Sequence, residues 1–554
     1  MGARRVLVVT AVVATVAGLQ LPGSAASGSA GHAASRVPVV ELRGTNGDDH
    51  LTLAVRHGRI VAVSPGSGVR SLTFGSGSAL RPDSPVRLRV DGGAGSDFLA
   101  VDLSGGMPIP TGGLVDDGGA GVGSDTLALR GGRVRSETVR ATGGGDGRIL
   151  LDGRGIDYVG LEPVQDSTPA TNYTFIAPPP SATGTGSDTV NLVDSSTKGF
   201  DQINGDDGRD PFEVQDFSNK TIVSIRGSSH PDTISMHVSA AAAGLSTVQL
   251  DGMGDADTMD VAATPSSVST TVTDSGASED TVGLGGGGSV AGLLGAISVT
   301  NPLGLTGLRI DASLDGPPRA VTLTKVSVQG LAPVPIDYVP GDLRSLRILG
   351  GRGGDTWVID STGSFPNVLA TGGGADHATV EGPIEASLII KGGAGNDVLG
   401  ATTSAPTGAS IAFVGGPGND LFHLGDGVSL ADEIKGGPGT DTVSYAGWHT
   451  PATVDLAGGP GTGTGTVGLA SVENATGGSA RDQIAGSGIA NVLTGGPGND
   501  VLTGRAGGDH LLGGPGNDTL NAHDGVHGND TANGGPGTDT CSADPGDHEI
   551  ACEH

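Results

Sequence analysis

A carboxylate returns every nine residues near the end of this chain. From Gly477 the sequence reads GGSARDQIA, GSGIANVLT, GGPGNDVLT, GRAGGDHLL and GGPGNDTLN. An insert of Ala522, His523 and Asp524 follows, and then GVHGNDTAN, GGPGTDTCS and ADPGDHEIA. Position six holds Asp482, Asn491, Asp500, Asp509, Asp518, Asp530, Asp539 and His548. Position eight holds Ile484, Leu493, Leu502, Leu511, Leu520, Ala532, Cys541 and Ile550. Neighbouring rungs of a stack lie about 4.8 Å apart. Two carboxylates at that spacing repel by about 1 kcal/mol even at the dielectric of water. No Lys or Arg stands in the position-six column to relieve them, whereas a hard divalent cation would. Carboxylate and backbone carbonyl oxygens are the ligands calcium prefers.

The elements that must position these carboxylates follow from the other residues of the nine. Six residues of Gly, Pro, Asn and Asp turn the chain, because Gly takes backbone angles that other residues avoid. The remaining three make a short strand with position eight inward. The template G-G-x-G-x-D-x-U-x, with U apolar, resembles the haemolysin-type calcium-binding (RTX) nonapeptide repeat family. The resemblance implies a right-handed parallel β-roll with two nonapeptides per turn, and calcium ions held between same-side turns by position-six Asp residues and turn carbonyls. It implies one edge of Asp482, Asp500, Asp518 and Asp539, and a second of Asn491, Asp509, Asp530 and His548. The second edge departs from the pattern at both ends, and the insert is expected to disturb the stacking of Asp509 on Asp530.

Composition agrees with a repeat architecture. The chain has 554 residues, 102 of them Gly, with aromatics at only 3%, which implies a thin aliphatic core. Sixty acidic against 30 basic residues give a net charge of −30. That argues against nucleic acid and anionic membrane surfaces as partners and favours cations. Upstream, a Gly-rich turn, an Asp and an alternating strand recur at longer period: GTNGDDHLTL at 44, GGAGSDFLAV at 92, GTGSDTVNL at 184 and GGAGNDVLG at 392. The expected fold is all-β, an extended parallel β-solenoid (β-helix) ending in the calcium-binding β-roll. Its divisions are a leader at 1–30, solenoid repeats at 44–162, a linker at 163–183 and further repeats at 184–294. Divergent strands at 295–349 leave room for a domain boundary. Repeats with a spacer occupy 350–476, and the tandem nonapeptides 477–554.

Asp355, Asp376, Asp397, Asp420 and Asp441 recur every 21 to 23 residues. Two readings stand for this column. It is a second calcium ladder, with Asp397, Asp420 and Asp441 in the turns closest to the nonapeptide template, or each Asp bonds only its own turn.

Arg4 and Arg5 precede an apolar stretch of fourteen residues at 6–19, and small residues follow, as in a secretory leader. The stretch is too short to span a bilayer, so no membrane insertion is expected. In an exported chain, Cys541 and Cys552 read as a disulfide closing the last rung. No HExxH and no G-x-S-x-G occurs, so zinc-protease and serine-hydrolase chemistry lack their residues. The expectation is a secreted, extracellular, non-enzymatic protein. Calcium would stabilise its fold, and an extracellular glycan or cell-surface component would be its partner in adhesion or matrix assembly. The alternative on such a scaffold is a calcium-dependent polysaccharide lyase.

Overall fold

Short alternating strands between Gly-rich turns point every second side chain inward, and such rungs bury those side chains only by stacking on one another. The computed structural model describes Val12–Val13 and residues 37–553, except 66–67, 75–76, 120–122, 179–187, 206–211, 213 and 464–466. Most of the leader at 1–30 lies outside the described residues. Among those described there is no α-helix, and the strands form long, mainly parallel ladders, as a β-solenoid and β-roll require. The chain divides into two compact units: residues 1–260 with 264–278, and 261–263 with 279–554. The division falls ahead of 295–349, where the fading of the turn motif left room for it.

The second unit carries the nonapeptides. One face stacks Thr356–Ile359, His377–Val380, Val398–Ala401, Leu421–Leu424, Thr442–Ser444 and Asn474–Thr476 in parallel. Val492–Thr494, His510–Leu512, Thr531–Asn533 and His548–Ile550 continue it. A single buried column, in register, starts at Trp357, Ala378 and Leu399 and ends at Leu493, Leu511 and Ala532. The opposite face ends in Gln483–Ala485, Val501–Thr503, Thr519–Asn521 and Thr540–Ser542, whose inward residues are Ile484, Leu502, Leu520 and Cys541. Each buried Leu contributes about 1.5–3 kcal/mol, so one position in nine suffices to hold a rung. The spacer is an antiparallel excursion, in which Gly459–Gly463 pairs with both Thr453–Asp455 and Val467–Ala470.

The first unit stacks Val39–Arg43, Arg87–Asp91 and Leu114–Asp117 on one face and His50–Arg56, Phe98–Asp102 and Thr126–Arg130 on the other. Antiparallel hairpins interrupt this parallel scheme. His50–Arg56 folds back on Arg59–Ser64, and Val134–Gly143, Asp146–Leu151 and Arg154–Val159 form a meander. The cause is local. His57-Gly58 and Asp152-Gly153 both take positive φ, the pairing that a two-residue hairpin turn demands. The expected linker at 163–183 is corrected. Val164–Asp166 and Ala170–Ile176 are strands within the ladder, with Val164, Tyr173 and Phe175 buried, and the Pro-rich run read as a linker begins only after them.

Candidate metal centre

Each position-six Asp stands one residue before its strand, where the turn delivers its carboxylate under the neighbouring rung. The backbone N–H of Asp482 donates to Asp500 Oδ1 at 2.8 Å, that of Asp500 to Asp518 at 2.8 Å, and that of Asp518 to Asp539 at 2.8 Å. The column is closed at one end by Ala452, whose N–H donates to Asp482 at 2.7 Å. At the other, Glu553 accepts from Asp539 at 2.6 Å.

The second edge is longer than expected. Asn491 donates its N–H to Asp509 at 2.9 Å, and Asp509 to Asp530 at 2.7 Å. The next acceptor is Asp547, at 3.3 Å from the Asp530 nitrogen, and not His548. His548 lies in register with Thr531, so the last nonapeptide runs one residue early, and Glu549 rather than Ile550 aligns with the inward Ala532. The insert at 522–524 leaves the Asp509–Asp530 step intact. It is taken up in the outer turn, where Asp544 accepts the N–H groups of Asp524 at 2.9 Å and Gly525 at 2.6 Å.

Upstream, Asp355 donates its N–H to Asp376 at 2.6 Å, Asp376 to Asp397 at 2.9 Å, Asp397 to Asp420 at 2.8 Å and Asp420 to Asp441 at 2.8 Å. Asp441 then donates to Glu473 Oε2 at 2.8 Å, and the Glu473 carbonyl accepts Asn491 Nδ2 at 2.6 Å. The 21-to-23-residue column and the second nonapeptide edge are thus one column. Their join was hidden because Glu473 sits in VENATGG, has a longer side chain and falls off the period. Position five runs the opposite way: Asn499 Oδ1 accepts from the following rung, from Asn517 N–H at 2.9 Å.

The ladder uses one carboxylate oxygen and leaves the other. Oδ2 of Asp355, Asp376, Asp397, Asp420, Asp441, Asp500, Asp509, Asp518, Asp530 and Asp539 is buried without a hydrogen-bond partner. Asp482 differs, since its Oδ2 accepts the Gly478 N–H at 2.6 Å. An orphaned buried carboxylate oxygen is costly, more so in its charged form. Burial accordingly pushes Asp376, Asp397, Asp420, Asp441 and Asp500 up to about 6, adjacent carboxylates add to the rise, and the donated N–H groups oppose it. Asp482, Asp509, Asp518 and Asp530 are raised for the same leading reason.

Carbonyl oxygens crowd the same spots. A Cβ on Gly495 would lie 2.5 Å from Asp500 Oδ2 and 2.6 Å from the Gly513 carbonyl oxygen. On Gly513 it would lie 2.5 Å from both Asp518 Oδ2 and the Gly534 carbonyl. Glycine is therefore required beside the orphaned oxygens of Asp500 and Asp518, and the donors assembled are all oxygen. Among the described residues no three His, Cys, Asp or Glu side chains gather into a chelating cluster. The donor set, one carboxylate per rung plus turn carbonyls, fits calcium rather than zinc.

A family profile described as the RTX calcium-binding nonapeptide repeat matches residues 414–447, 476–511, 485–520 and 527–547. The chain carries RTX calcium-binding repeats. No curated protein gives a match to it. The matched RTX repeats contain Asp420, Asp441 and every nonapeptide Asp named above, while Asp397 lies just before them on the same column. The first unit, outside the matched repeats, builds the same step: Asp49 donates its N–H to Asp97 at 2.8 Å, Asp97 to Asp125 at 2.7 Å and Asp232 to Asp257 at 2.7 Å. Cys541 and Cys552 form a disulfide with a Cα–Cα distance of 5.7 Å, closing the last described rung of the RTX repeats. Among the described residues no helix is long and apolar enough to cross a membrane.

Proposed function

We infer that the protein is secreted and works outside the cell as a calcium-stabilised structural repeat protein, in adhesion or surface assembly, without catalytic activity. The observation that carries this reading is the row of buried, unpartnered Oδ2 atoms along two edges of one unit. So many uncompensated carboxylates oppose folding until a cation binds them, so metal binding and folding are one equilibrium. The disulfide supports an oxidising compartment. The net charge of −30 supports a cation-rich medium and argues for a neutral glycan or a basic surface as partner. The leader pattern at 1–30 supports export.

The test is calorimetric and spectroscopic titration of the full chain with calcium. Calcium should raise β content cooperatively, with several ions bound per chain, and magnesium at the same concentration should do so far less. Equal β content and equal thermal stability in chelator and in calcium would remove the basis of this reading. A binding screen on insoluble glycans and cell walls, with and without calcium, tests the adhesive part, and release of soluble sugar in that screen would replace it with the lyase.

A further inference from the structure

Lys220 is fully buried, whereas Lys198, Lys325, Lys391 and Lys435, the other lysines of the chain, are exposed. It opens the strand Lys220–Arg226 at an inward position, in register with Ala170. Its Nζ lies 2.7 Å from Glu137 Oε2, 2.7 Å from Asp166 Oδ2 and 2.8 Å from the Thr168 carbonyl oxygen. Glu137 is on the same face of the first unit as Lys220, and Asp166 is on the facing sheet, paired in register with Phe217. Aromatic rings wall the group: Lys220 Nζ is 5.3 Å from the Tyr173 ring centre, and Tyr173 stacks on Phe217 at 5.2 Å. In a chain so poor in aromatics this is a deliberately dry place.

We propose that Lys220 and Asp166 become joined by an amide bond, formed without any other enzyme, with Glu137 as the proton carrier. The amine and the acid are already in contact, and such fixed placement is worth effective concentrations of about 10⁵ M or more. Two details select Asp166 over Glu137 as the carbon attacked. Asp166 Oδ1 accepts the Thr168 N–H at 2.8 Å, a donor aimed where negative charge builds when nitrogen adds to Cγ. Glu137 has no such donor, and its Oε1 is buried without a partner, free to carry a proton. Burial, followed by the charge of Asp166, drives the Glu137 carboxyl well above the usual range, which favours its protonated form.

The step balances. Nζ passes one proton to Asp166 Oδ2 along their hydrogen bond, and the freed amine adds to Cγ. Glu137 takes a second proton from nitrogen through Oε2 and delivers its own to the departing Oδ2. The C–Oδ2 bond breaks, the C–N bond stays, one water leaves, and Glu137 is restored. An ammonium and a carboxylate become a neutral amide, which a dry core favours because buried charges are costly there.

The measurement is mass spectrometry of the full-length chain as secreted, reduced and digested with trypsin. The expected result is a branched peptide joining the segment around Asp166 to that around Lys220. It should be lighter than the sum of the two by one water, and uncut after Lys220. Glu137→Gln should abolish the branch in at least nine-tenths of the molecules while the β-sheet spectrum is kept, and Lys220→Arg should abolish it entirely. Two unmodified linear peptides from the parent chain, or a branch at Glu137 in place of Asp166, overturns the proposal. So does an undiminished branch in Glu137→Gln. The decisive reading comes from the parent chain, so it stands even where a variant fails to fold.

Discussion

The N–H of Asp500 donates to the carboxylate of Asp518, one rung further on, at 2.8 Å. That single contact fixes which oxygen of Asp518 is used up and which is left for a cation, and it makes each Asp a member of two rungs.

Removal of Asp500 should therefore cost more than removal of Asp482. Asp500 is an inner member with a free Oδ2, whereas Asp482 ends the edge and spends its Oδ2 on Gly478. Asp500→Ala is expected to lower the calcium count by about two and to block calcium-induced ordering of the last rungs, by loss of charged ligands. Asp482→Ala should remove about one ion at most on the same argument. Equal losses in the two variants, measured by equilibrium dialysis, would refute shared ligation along the edge.

Glu473 is the splice between the long-period column and the nonapeptide edge. Glu473→Ala leaves the Asp441 N–H without its 2.8 Å acceptor and should destabilise the second unit by about 1–3 kcal/mol. Glu473→Gln keeps an acceptor oxygen and should cost less than half as much. Urea unfolding of both variants in chelator decides it, and a Gln variant as damaged as the Ala variant points to charge instead of hydrogen bonding.

Acid should partly replace calcium. Asp376, Asp397, Asp420, Asp441 and Asp500 stand at about 6 in the fold, against about 3.9 in an unfolded chain. The folded state therefore binds more protons between those values. Its stability from these groups is fully present below about 4 and is lost as pH rises through about 6. In chelator the melting temperature should rise as pH falls from 7 to 5. Calcium affinity should move the other way, weakening below pH 6 as protons compete. A melting temperature in chelator that is flat or falling over that range contradicts the burial argument.

The disulfide should hold the end of the roll. Cys541 is an inward residue in register with Leu520, and its bridge to Cys552 closes a short loop worth about 3 kcal/mol in chain entropy. In Cys552→Ser, hydrogen exchange should accelerate first at Thr540–Ser542 and His548–Ile550 and leave Val501–Thr503 protected. Uniform acceleration across the unit would show that the bridge is not a local cap.

Much of this was legible in the residue types. A nine-residue period of Gly, Asp and one apolar residue dictates turn, ladder and core column together, so Asp482, Asp500, Asp518 and Asp539 fall where their spacing puts them. The misses have physical causes. The turn of ADPGDHEIA is one residue short of the template, which moves the ladder to Asp547. Glu473 does an aspartate's work from a longer side chain. Prolines at 178–180 drew attention away from the alternation in Ala170–Ile176, which is a strand. The hairpins at His57-Gly58 and Asp152-Gly153 were written in the turn residues but were outweighed by the repeat pattern. Nothing in the sequence brings residues 137, 166 and 220 together, because they meet across two sheets after 83 intervening steps of chain.

The direction of the Asp ladder also has a bearing on how the chain is made. The N–H of each Asp in these columns from Asp355 to Asp441, and from Asp482 to Asp539, is satisfied by a carboxylate that lies later in the sequence, down to Glu553 and Asp547. Synthesis proceeds from the N-terminus. Each rung is therefore unfinished when it leaves the ribosome and waits for its successor. Completion therefore travels along the columns in the order of synthesis, each rung gaining its acceptor when the next Asp follows it 18 to 23 residues later.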